Sequence, residues 1–303
     1  MYVIETSGLA KHYGAIRALA GIDLRVPRGT IFGFLGPNGA GKTTTMRILV
    51  GLLRPTAGRA SVFGLDMIGQ SREIRRKVGY LPGDVRLYEW MTGRRFLSFC
   101  DAARGGGAAR EIERLRGRFD LDIDRRIRGY SRGMKQKLAL IASLMHRPEL
   151  LILDEPTTAL DPLVQLTLHD ELRTAAKEGR TVLFSSHTLG EVEVLCDHVA
   201  IIRRGEIIED STIEALRRRA VRRVTLRLRK GESAILELPE GAHPHETLDG
   251  TVNLSWTGPI DGLTAWLSTL RLEDVTIGPP DLDDLFAAYY RDDGPALQRG
   301  GGA

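Results

Sequence analysis

The chain has 303 residues, of which 42% are hydrophobic and 27% charged, the balance of a soluble globular protein with one large domain or a large and a small one. A net charge of +4 is too small to indicate a nucleic-acid ligand, and no apolar run approaches the roughly 20 residues of a membrane span. The N-terminus has no signal pattern, and the two cysteines have no metal-site or disulfide-framework spacing. We therefore expect a cytosolic protein without structural zinc.

The first element with a clear chemical purpose is a glycine-rich loop, GPNGAGKTT, between the apolar run TIFGFL and the run TMRILVGLL. Strand, G-x-x-x-x-G-K-[ST] and helix form the pattern of a phosphate-binding loop, in which glycines let backbone N–H groups turn towards phosphate oxygens. Lys42 would place its charge between the terminal phosphates, and Thr43 would offer a hydroxyl to Mg²⁺. The residues predicted to bind nucleotide here are Gly36, Pro37, Asn38, Gly39, Ala40, Gly41, Lys42, Thr43 and Thr44.

A second stretch also has the chemistry of an anion site. Tyr130–Leu140 reads YSRGMKQKLAL, which predicts the start of a helix with a Ser, a Gly and two lysines around its first turn. The N-terminus of a helix attracts anions. The alternative is an ordinary basic helix start.

Leu150–Pro156, LLILDEP, is a continuous apolar run that ends in two carboxylates. It predicts a buried parallel strand whose carboxyl end faces the ligand. Asp154 would hold Mg²⁺, directly or through water, and Glu155 would take a proton from the attacking water. An isolated acidic pair at such a place would more often cap the next helix.

Two further features follow this strand. Asp161, in TTALDP, precedes Pro162 and is predicted to cap a helix that runs through LHDELRTAAKEG. Thr181–His187, TVLFSSH, predicts another buried strand, with a histidine at its end. A neutral His187 imidazole could donate to a γ-phosphate, although a lone histidine is usually structural or exposed.

Beyond about residue 210 the pattern changes to short strands with intervening helices. Residues 222–239 predict a hairpin, TVNLSW and DVTIG two strands, and PIDGLTAWLSTL and DLDDLFAAYY two helices. Residues 217–230 carry eight basic groups and no acidic one, a composition that also fits a surface for anionic lipid or nucleic acid. Because Val224, Leu226 and Leu228 alternate with polar residues, we favour the solvated face of a sheet.

Together these motifs resemble the ATP-binding cassette (ABC) ATPases, and among them the nucleotide-binding subunits of bacterial drug and antibiotic exporters. GPNGAGKTT is similar to the Walker A loop, LLILDEP to the Walker B strand, TTALDP to the D-loop and SSH to the switch-histidine motif. The resemblance implies an α/β P-loop NTPase cassette with a mixed sheet core, an antiparallel β subdomain and a helical subdomain at about 86–148. This ATPase domain would span 1–210, a small α+β accessory domain 211–290 and a disordered tail 291–303. For the accessory domain it implies a regulatory or dimer-supporting role.

The resemblance also implies roles for residues outside the loop. Tyr13, in GLAKHYGAIRAL, would stack on adenine, and Asp161 would belong to the nucleotide-binding D-loop. YSRGM stands where the family has its signature, usually close to LSGGQ, so Ser131 and Gly133 would contact the γ-phosphate of ATP held by a second copy. The helix start at YSRGM would thus bind the phosphate of a second nucleotide site, the one held by the other copy.

The chain departs from the family pattern after KVGYLP, where Gly83 replaces the usual Gln. We consider the hypothesis that Asp84 takes over the lost amide contact through a water. The following segment lies where this family's helical subdomain meets its membrane partner. Tyr88, Trp90 and Met91 would suit that interface, or equally a helical core cluster.

The resulting interpretation is an ATPase that uses ATP and Mg²⁺, forms a head-to-tail dimer with a second copy of itself and drives a separate transmembrane permease. It would lie on the cytoplasmic face of the membrane, export a drug, antibiotic or other hydrophobic compound and bind no nucleic acid. The alternative is a soluble ABC ATPase acting on nucleic acid or ribosomes. Only 107 residues separate Lys42 from Leu150, too few for a long coiled coil, and only one cassette is present. A small-molecule P-loop kinase is disfavoured by the signature stretch.

Overall fold

The computed structural model describes residues 1–229, 238–248, 251–282 and 286. The chain separates into two compact units, Met1–Asp210 and Ser211–Ala303. The strands, numbered in chain order, are β1 Tyr2–Tyr13, β2 Ile16–Ile22, β3 Arg25–Pro27, β4 Ile31–Leu35, β5 Ala57–Val62, β6 Leu65–Asp66, β7 Val78–Leu81, β8 Leu150–Asp154, β9 Thr181–Ser186, β10 His198–Arg203, β11 Glu206–Thr212, β12 Val221–Leu228, β13 Ala242–Leu248, β14 Thr251–Trp256 and β15 Leu272–Asp281. The helices are α1 Lys42–Leu49, α2 Ser71–Lys77, α3 Gly93–Ala103, α4 Ala109–Arg118, α5 Arg132–Leu144, α6 Pro162–Lys177, α7 Leu189–Leu195, α8 Ile213–Arg219 and α9 Ile260–Leu267.

The first unit is built on a six-stranded sheet with the order β11-β10-β4-β9-β8-β7. Strands β10, β4, β9, β8 and β7 pair in parallel. Every residue of β4, β8 and β9 is buried, as expected for strands covered on both faces. Leu35 pairs with Ser186 and Asp154 with Ser185, so the carboxyl ends of these three strands are level. Whatever follows each strand therefore meets at one edge.

An antiparallel sheet with the order β2-β1-β5-β6 forms a second layer, with β3 also paired to β1. Helix α1 contacts β2, β5 and β8, and its Met46, Ile48 and Leu49 are fully buried in a core that both sheets share. The hairpin of β1 and β2 turns at Gly14, which has a φ of 58° that a glycine adopts without steric cost. This packing fixes the start of α1 between the sheets. The predicted mixed core, antiparallel subdomain and cassette fold are confirmed.

The helical part of the first unit comprises α3, α4 and α5. Gly93 begins α3 where a Cβ would lie 2.5 Å from the Tyr130 hydroxyl, which donates a 2.6 Å hydrogen bond to the Asp122 carbonyl. Helix α4 is joined to α6 by Glu171, whose carboxylate accepts hydrogen bonds from Arg114 at 2.6 and 2.8 Å and from Arg118 at 3.1 Å. The Glu171 side chain is only 9% exposed. A buried carboxylate thus connects the helical part to the helix that covers the main sheet.

The second unit is built on a four-stranded sheet with the order β13-β14-β12-β15. Val224, Leu226 and Leu228 are buried in its core with residues of α9, whereas Thr225 and Arg227 are exposed. The interpretation of the basic run as a solvated sheet face is therefore confirmed for β12, and the strands predicted at TVNLSW and DVTIG are β14 and part of β15. The second arm of the predicted hairpin, most of the final helix and the tail lie outside the described residues.

We predict that Glu171→Gln lowers the free energy of unfolding of the first unit by about 1–3 kcal/mol near neutral pH, because a hydrogen-bonded charge at a buried position is lost. Urea denaturation followed by circular dichroism measures this. Glu113→Gln is the control, because that carboxylate also pairs with two arginines but lies at the surface, and it should have a much smaller effect.

The Glu171 effect should depend on pH. Burial acts to raise the pKa of Glu171, but the hydrogen bonds and charges of Arg114 and Arg118 outweigh it and hold this pKa below its ordinary value. The stabilisation is therefore fully present above the unfolded pKa of about 4.3 and is lost as the pH falls through the lower folded value. The difference between wild type and Glu171→Gln should shrink in this acid range; a difference that grows there would contradict the assignment.

Candidate nucleotide-binding site

The loop between β4 and α1 forms a small cavity of about 120 Å³ at the edge of the six-stranded sheet where β4, β8 and β9 end. Its lining consists of Ala18, Pro37, Asn38, Gly39, Gly41, Lys42, Thr43, Thr44 and Glu155. Gly41 caps α1 with a φ of 116°, and a Cβ there would lie 2.6 Å from a Leu19 methyl carbon. Gly36 lies behind the cavity, where a Cβ would be 2.3 Å from the Ile202 carbonyl oxygen, and Ala40 is buried. Only a glycine backbone fits at these two positions.

Lys42 is the only buried lysine in the described part of the chain, with 4% of its residue surface exposed. Its ammonium donates to the carbonyl oxygens of Gly36 at 2.5 Å and Pro37 at 3.2 Å, and lies 3.4 Å from Oε1 of Glu155. A buried ammonium needs such partners because it has lost its hydration. The geometry keeps this charge beside the cavity and next to the carboxylate of Glu155, which directly follows β8.

Asp154 is 1% exposed and its two carboxylate oxygens differ. Oδ1 accepts a 2.7 Å hydrogen bond from the Ser185 hydroxyl, whereas Oδ2 is buried and has no hydrogen-bond partner among the described residues. A Cβ at Gly83 would lie only 3.1 Å from Oδ2. Burial and the nearby Asp154 charge also raise the pKa of Tyr80.

This arrangement fits a Mg²⁺ ion. Magnesium is usually held by one or two protein oxygens with waters and substrate phosphates, and the free Asp154 Oδ2 and the Thr43 hydroxyl at the cavity are oxygen donors of this kind. Among the described residues, no cluster of three or more His, Cys, Asp or Glu could hold a metal ion by itself. A site completed by phosphate oxygens agrees with both observations.

Glu155 has a backbone φ of 47°, in the left-handed region that non-glycine residues rarely adopt. Its N–H donates to the Ser185 hydroxyl at 2.9 Å, and its Oε2 lies 3.4 Å from Nδ1 of His187. The His187 side chain is 53% exposed. The structure therefore brings Lys42, Glu155 and His187 together, because β4, β8 and β9, which precede them, end at the same edge of the sheet.

Ser131 and Gly133 do not line the cavity of their own chain. Ser131 caps α5 and its hydroxyl accepts from the Met134 N–H at 3.2 Å, while a Cβ on Gly133 would lie 2.7 Å from the Ala159 carbonyl oxygen. The Gln136 amide donates to the Pro156 carbonyl at 3.0 Å. The start of α5 thus packs on the turn that follows β8.

Asp161 and Tyr13 also lie apart from the cavity lining. The Asp161 side chain accepts from the Val164 N–H at 3.0 Å, which confirms it as the cap of α6. Tyr13 ends β1, is 47% exposed and has the Lys11 ammonium 5.2 Å from its ring centroid. Their nucleotide contacts remain predictions.

The segment after β7 contains Asp84 and the aromatic residues considered for an interface. The Asp84 carboxylate accepts a 2.9 Å hydrogen bond from Arg86, and both side chains are well exposed. Tyr88 and Trp90 are 51% and 61% exposed, whereas Met91 is buried at 7%. Met91 therefore packs inward at the start of the helical part, as the core alternative has it, whereas Tyr88 and Trp90 lie at the surface.

Sequence reasoning missed Ser185, Gln136 and Ala18. Ser185 is the residue that joins the two carboxylate positions at the end of β8, since its hydroxyl contacts both Asp154 and the Glu155 N–H. The two serines that end the buried strand β9, after Val182, Leu183 and Phe184, were a usable signal. The sequence contained no comparable signal for Gln136 or Ala18, because the residues they contact are distant in sequence.

A glycine cradle that opens a helix, beside a strand that ends in a buried aspartate and is followed by a glutamate, defines a P-loop nucleoside triphosphatase. Residues 19–158 match the sequence model of the family described as ABC transporter. The daunorubicin resistance ATP-binding protein DrrA3 of Streptomyces coeruleorubidus is 36% identical, covering 96% of both chains. This chain belongs to the ABC transporter family and is an ATP-binding cassette ATPase.

Two further similarities agree. The bacitracin transport ATP-binding protein BcrA of Bacillus licheniformis is 34% identical over 80% of this chain and 81% of that protein. A solved structure of the ATP-binding subunit of an ABC transporter is 31% identical, with a TM-score of 0.66 over 71% of this chain and 92% of its own. Within the described residues, none of the helices has both the length and the apolar character needed to cross a membrane.

We predict that Ser185→Ala lowers the ATPase rate about 10- to 100-fold and raises the Mg²⁺ concentration needed for half-maximal rate, because Asp154 and Glu155 lose their shared support. Steady-state phosphate release across a Mg²⁺ titration measures both effects. Ser143→Ala is the matched control: this serine is also buried, but its hydroxyl donates to the Leu140 carbonyl of its own helix. Equal rates for the two variants would remove Ser185 from the site.

Proposed function

We propose that this protein binds two ATP–Mg²⁺ between two copies of itself and drives a separate transmembrane permease that exports a drug or antibiotic. The observation that carries the proposal is the meeting of Lys42, Glu155 and His187 at one edge of the sheet, with an unsatisfied Asp154 oxygen behind them. The names of the relatives, which concern daunorubicin resistance and bacitracin transport, support the export of such compounds.

Each residue at the edge has a distinct task in hydrolysis. Lys42 and the loop N–H groups hold the β- and γ-phosphates, and Glu155 accepts a proton from the attacking water. His187, whose Nδ1 lies 3.4 Å from Glu155, donates its single N–H to the γ-phosphate. Thr43 and Asp154 would hold Mg²⁺, which would supply positive charge beside the phosphates. Tyr13 stacks on the adenine.

The dimer is supported by the position of the signature residues. Gly133 packs against the turn after β8, and neither Ser131 nor Gly133 is part of the cavity lining of its own chain. The start of α5 could bind a phosphate but does not line the nucleotide cavity of its own chain. In a head-to-tail dimer it would contact the ATP that the second copy holds. ATP then joins the copies, and its hydrolysis separates them. Asp161, which lies between β8 and α6, contributes to the same interface between the two copies.

The membrane location follows from the permease. The chain works at the cytoplasmic face of the membrane because its partner spans it. The alternative, a soluble ATPase acting on ribosomes or nucleic acid, has no observation in its favour beyond the basic residues of β12, which the sheet face accounts for.

We predict that Lys42→Ala and Ser131→Arg chains, each inactive alone, regain ATPase activity when mixed. A mixed dimer has one site with both defects and one site with neither, so up to about half of the wild-type rate per mixed dimer should return. Phosphate release from mixtures of differently tagged chains measures this, with the tags used to establish that mixed dimers form. Absence of rescue in verified mixed dimers would overturn the shared-site arrangement.

The permease is tested by purifying tagged Glu155→Gln protein with ATP from detergent-solubilised native membranes. Because this variant keeps the ATP-bound dimer from hydrolysing its nucleotide, we expect a polytopic membrane protein in stoichiometric amount. The same purification with Lys42→Ala, which cannot hold ATP, is the control. Recovery of ribosomes or nucleic acid in place of a membrane protein would favour the soluble alternative.

A further inference from the structure

The turn between β9 and α7 carries His187, and two hydrogen bonds to one buried hydroxyl close this turn. Ser186, the last residue of β9, is 1% exposed. Its Oγ accepts from the Thr188 N–H at 2.9 Å and donates to Oε2 of Glu191 at 2.6 Å. A hydroxyl has one proton, and the Thr188 carbonyl oxygen is farther away at 3.2 Å, so the carboxylate receives that proton. His187 thus lies between two residues that are joined through a third.

The same contacts form a modified helix cap. Thr188 is the N-cap of α7, but its own side chain makes no cap hydrogen bond. Glu191 is the third residue of the helix, where the glutamate of a capping box reaches back to the N–H of the N-cap residue. Here Glu191 reaches that N–H through the Ser186 hydroxyl. We call this arrangement the Ser186–Glu191 link, because it joins the end of β9 to the first turn of α7 across His187.

Helix α7 is a fixed support for the link because it is attached to β4. A Cβ on Gly33, in the middle of β4, would lie 2.7 Å from Cγ1 of Val192, so the helix packs directly on the strand. After the helix, the Asp197 carboxylate accepts from the Ile31 N–H at 2.9 Å, and the Asp197 N–H donates to the Ile31 carbonyl at 2.9 Å. The glycine loop follows β4, so the link refers the position of His187 to the strand that carries the phosphate site.

The His187 ring has little other support. Its side chain is 53% exposed, and its Nδ1 lies 3.4 Å from Oε2 of Glu155, which is long for a hydrogen bond. The position of the ring therefore depends on the backbone of its turn. An error of about 1 Å in such a position can lower a reaction rate on the order of 100-fold.

We propose that Glu191 is a positioning residue for ATP hydrolysis. Through Ser186 it holds the turn that places His187 beside the γ-phosphate, although Glu191 itself is not among the described residues that line the nucleotide cavity. The proposal rests on the proposed function, because it requires His187 to act on the γ-phosphate.

The first experiment compares Glu191→Ala with Glu73→Ala, each of which removes an acidic residue from the first turn of a seven-residue helix. We expect Glu191→Ala to lower kcat about 10- to 100-fold, with the KM for ATP and the Kd of a fluorescent ATP analogue within about twofold of wild type. Glu73→Ala should keep the wild-type kcat, which shows that loss of a favourable charge at a helix N-terminus is not the cause. A wild-type kcat for Glu191→Ala, or a loss confined to KM or to the melting temperature, would overturn the proposal.

Two further variants test the link itself. Glu191→Gln keeps an oxygen that accepts from Ser186, although the bond is no longer charge-assisted, so kcat should return to within about threefold of wild type. Ser186→Ala removes both hydrogen bonds and should lower kcat as much as Glu191→Ala does, with Ser143→Ala as the buried-serine control. This pair of serine variants also serves as the test if Glu191→Ala does not fold. Normal turnover by Ser186→Ala, or Glu191→Gln as slow as Glu191→Ala, would contradict the link.

The decisive measurement is a double-mutant cycle with His187→Ala, in which single-turnover hydrolysis of radiolabelled ATP detects slow rates. If Glu191 acts through His187, adding Glu191→Ala to His187→Ala should lower the rate by less than about twofold. A further loss of about tenfold or more would assign Glu191 a general structural role and overturn the proposal.

These outcomes separate the two proposals. If His187→Ala hydrolyses ATP at the wild-type rate, the role of His187 in the proposed function fails, and the positioning role of Glu191 fails with it. If His187→Ala is slow and Glu191→Ala is as fast as wild type, only the positioning role fails and the proposed function stands.

Discussion

The nucleotide site depends on one constraint, the level pairing of β4, β9 and β8. Each strand is buried along its whole length, so a register slip of one residue would turn every side chain to the opposite face of the sheet. With Leu35 opposite Ser186 and Asp154 opposite Ser185, the glycine loop, the carboxylates and the histidine all emerge at one edge. The apolar interior of the sheet therefore sets the distances between polar groups that chemistry requires.

The turn after β8 extends this constraint to the helical part. Glu155 and Ala159, which lie in this turn, both have positive φ values, so the chain holds an unfavourable backbone there. Gln136 and Gly133 at the start of α5 contact the same turn, at Pro156 and Ala159. A displacement of Glu155 would reach Gly133 and Gln136 through a few contacts. In the proposed dimer, this would be a physical route by which one site influences the interface that holds the other.

Charge alone did not distinguish the surfaces of this protein. The basic run at β12 and the arginines of α2 look similar in sequence, yet the first alternates with buried side chains and faces solvent from a sheet. The arginines of α2 instead face a cavity together with Arg104 from the end of α3. The difference lies in whether the charges converge on a concave space, because convergence raises the local potential and lowers the distance to a shared ligand.

The sequence by itself determined the glycine cradle, the acidic strand end, the helix cap at Asp161 and the family of the fold. These features are local: a phosphate loop needs glycines at fixed spacing, Asp before Pro is a common helix start, and an unbroken apolar run indicates a buried strand. Even the solvated face of β12 could be predicted, because alternation with period two is a property of a single strand.

The tertiary structure alone decided which distant residues meet. Ser185 supports Asp154 and Glu155 across 30 or 31 positions, Gly83 approaches Asp154, and Met91 packs inward where an exposed position was considered. The cavity lined by Arg72, Arg76 and Arg104 lies between α2 and α3, and no pattern in the segment between these helices predicts that they meet there. The spacing of residues in the sequence determines which side chains lie on the same face of one helix or strand. The contacts between elements depend on how their buried faces pack, and this packing involves residues throughout the core.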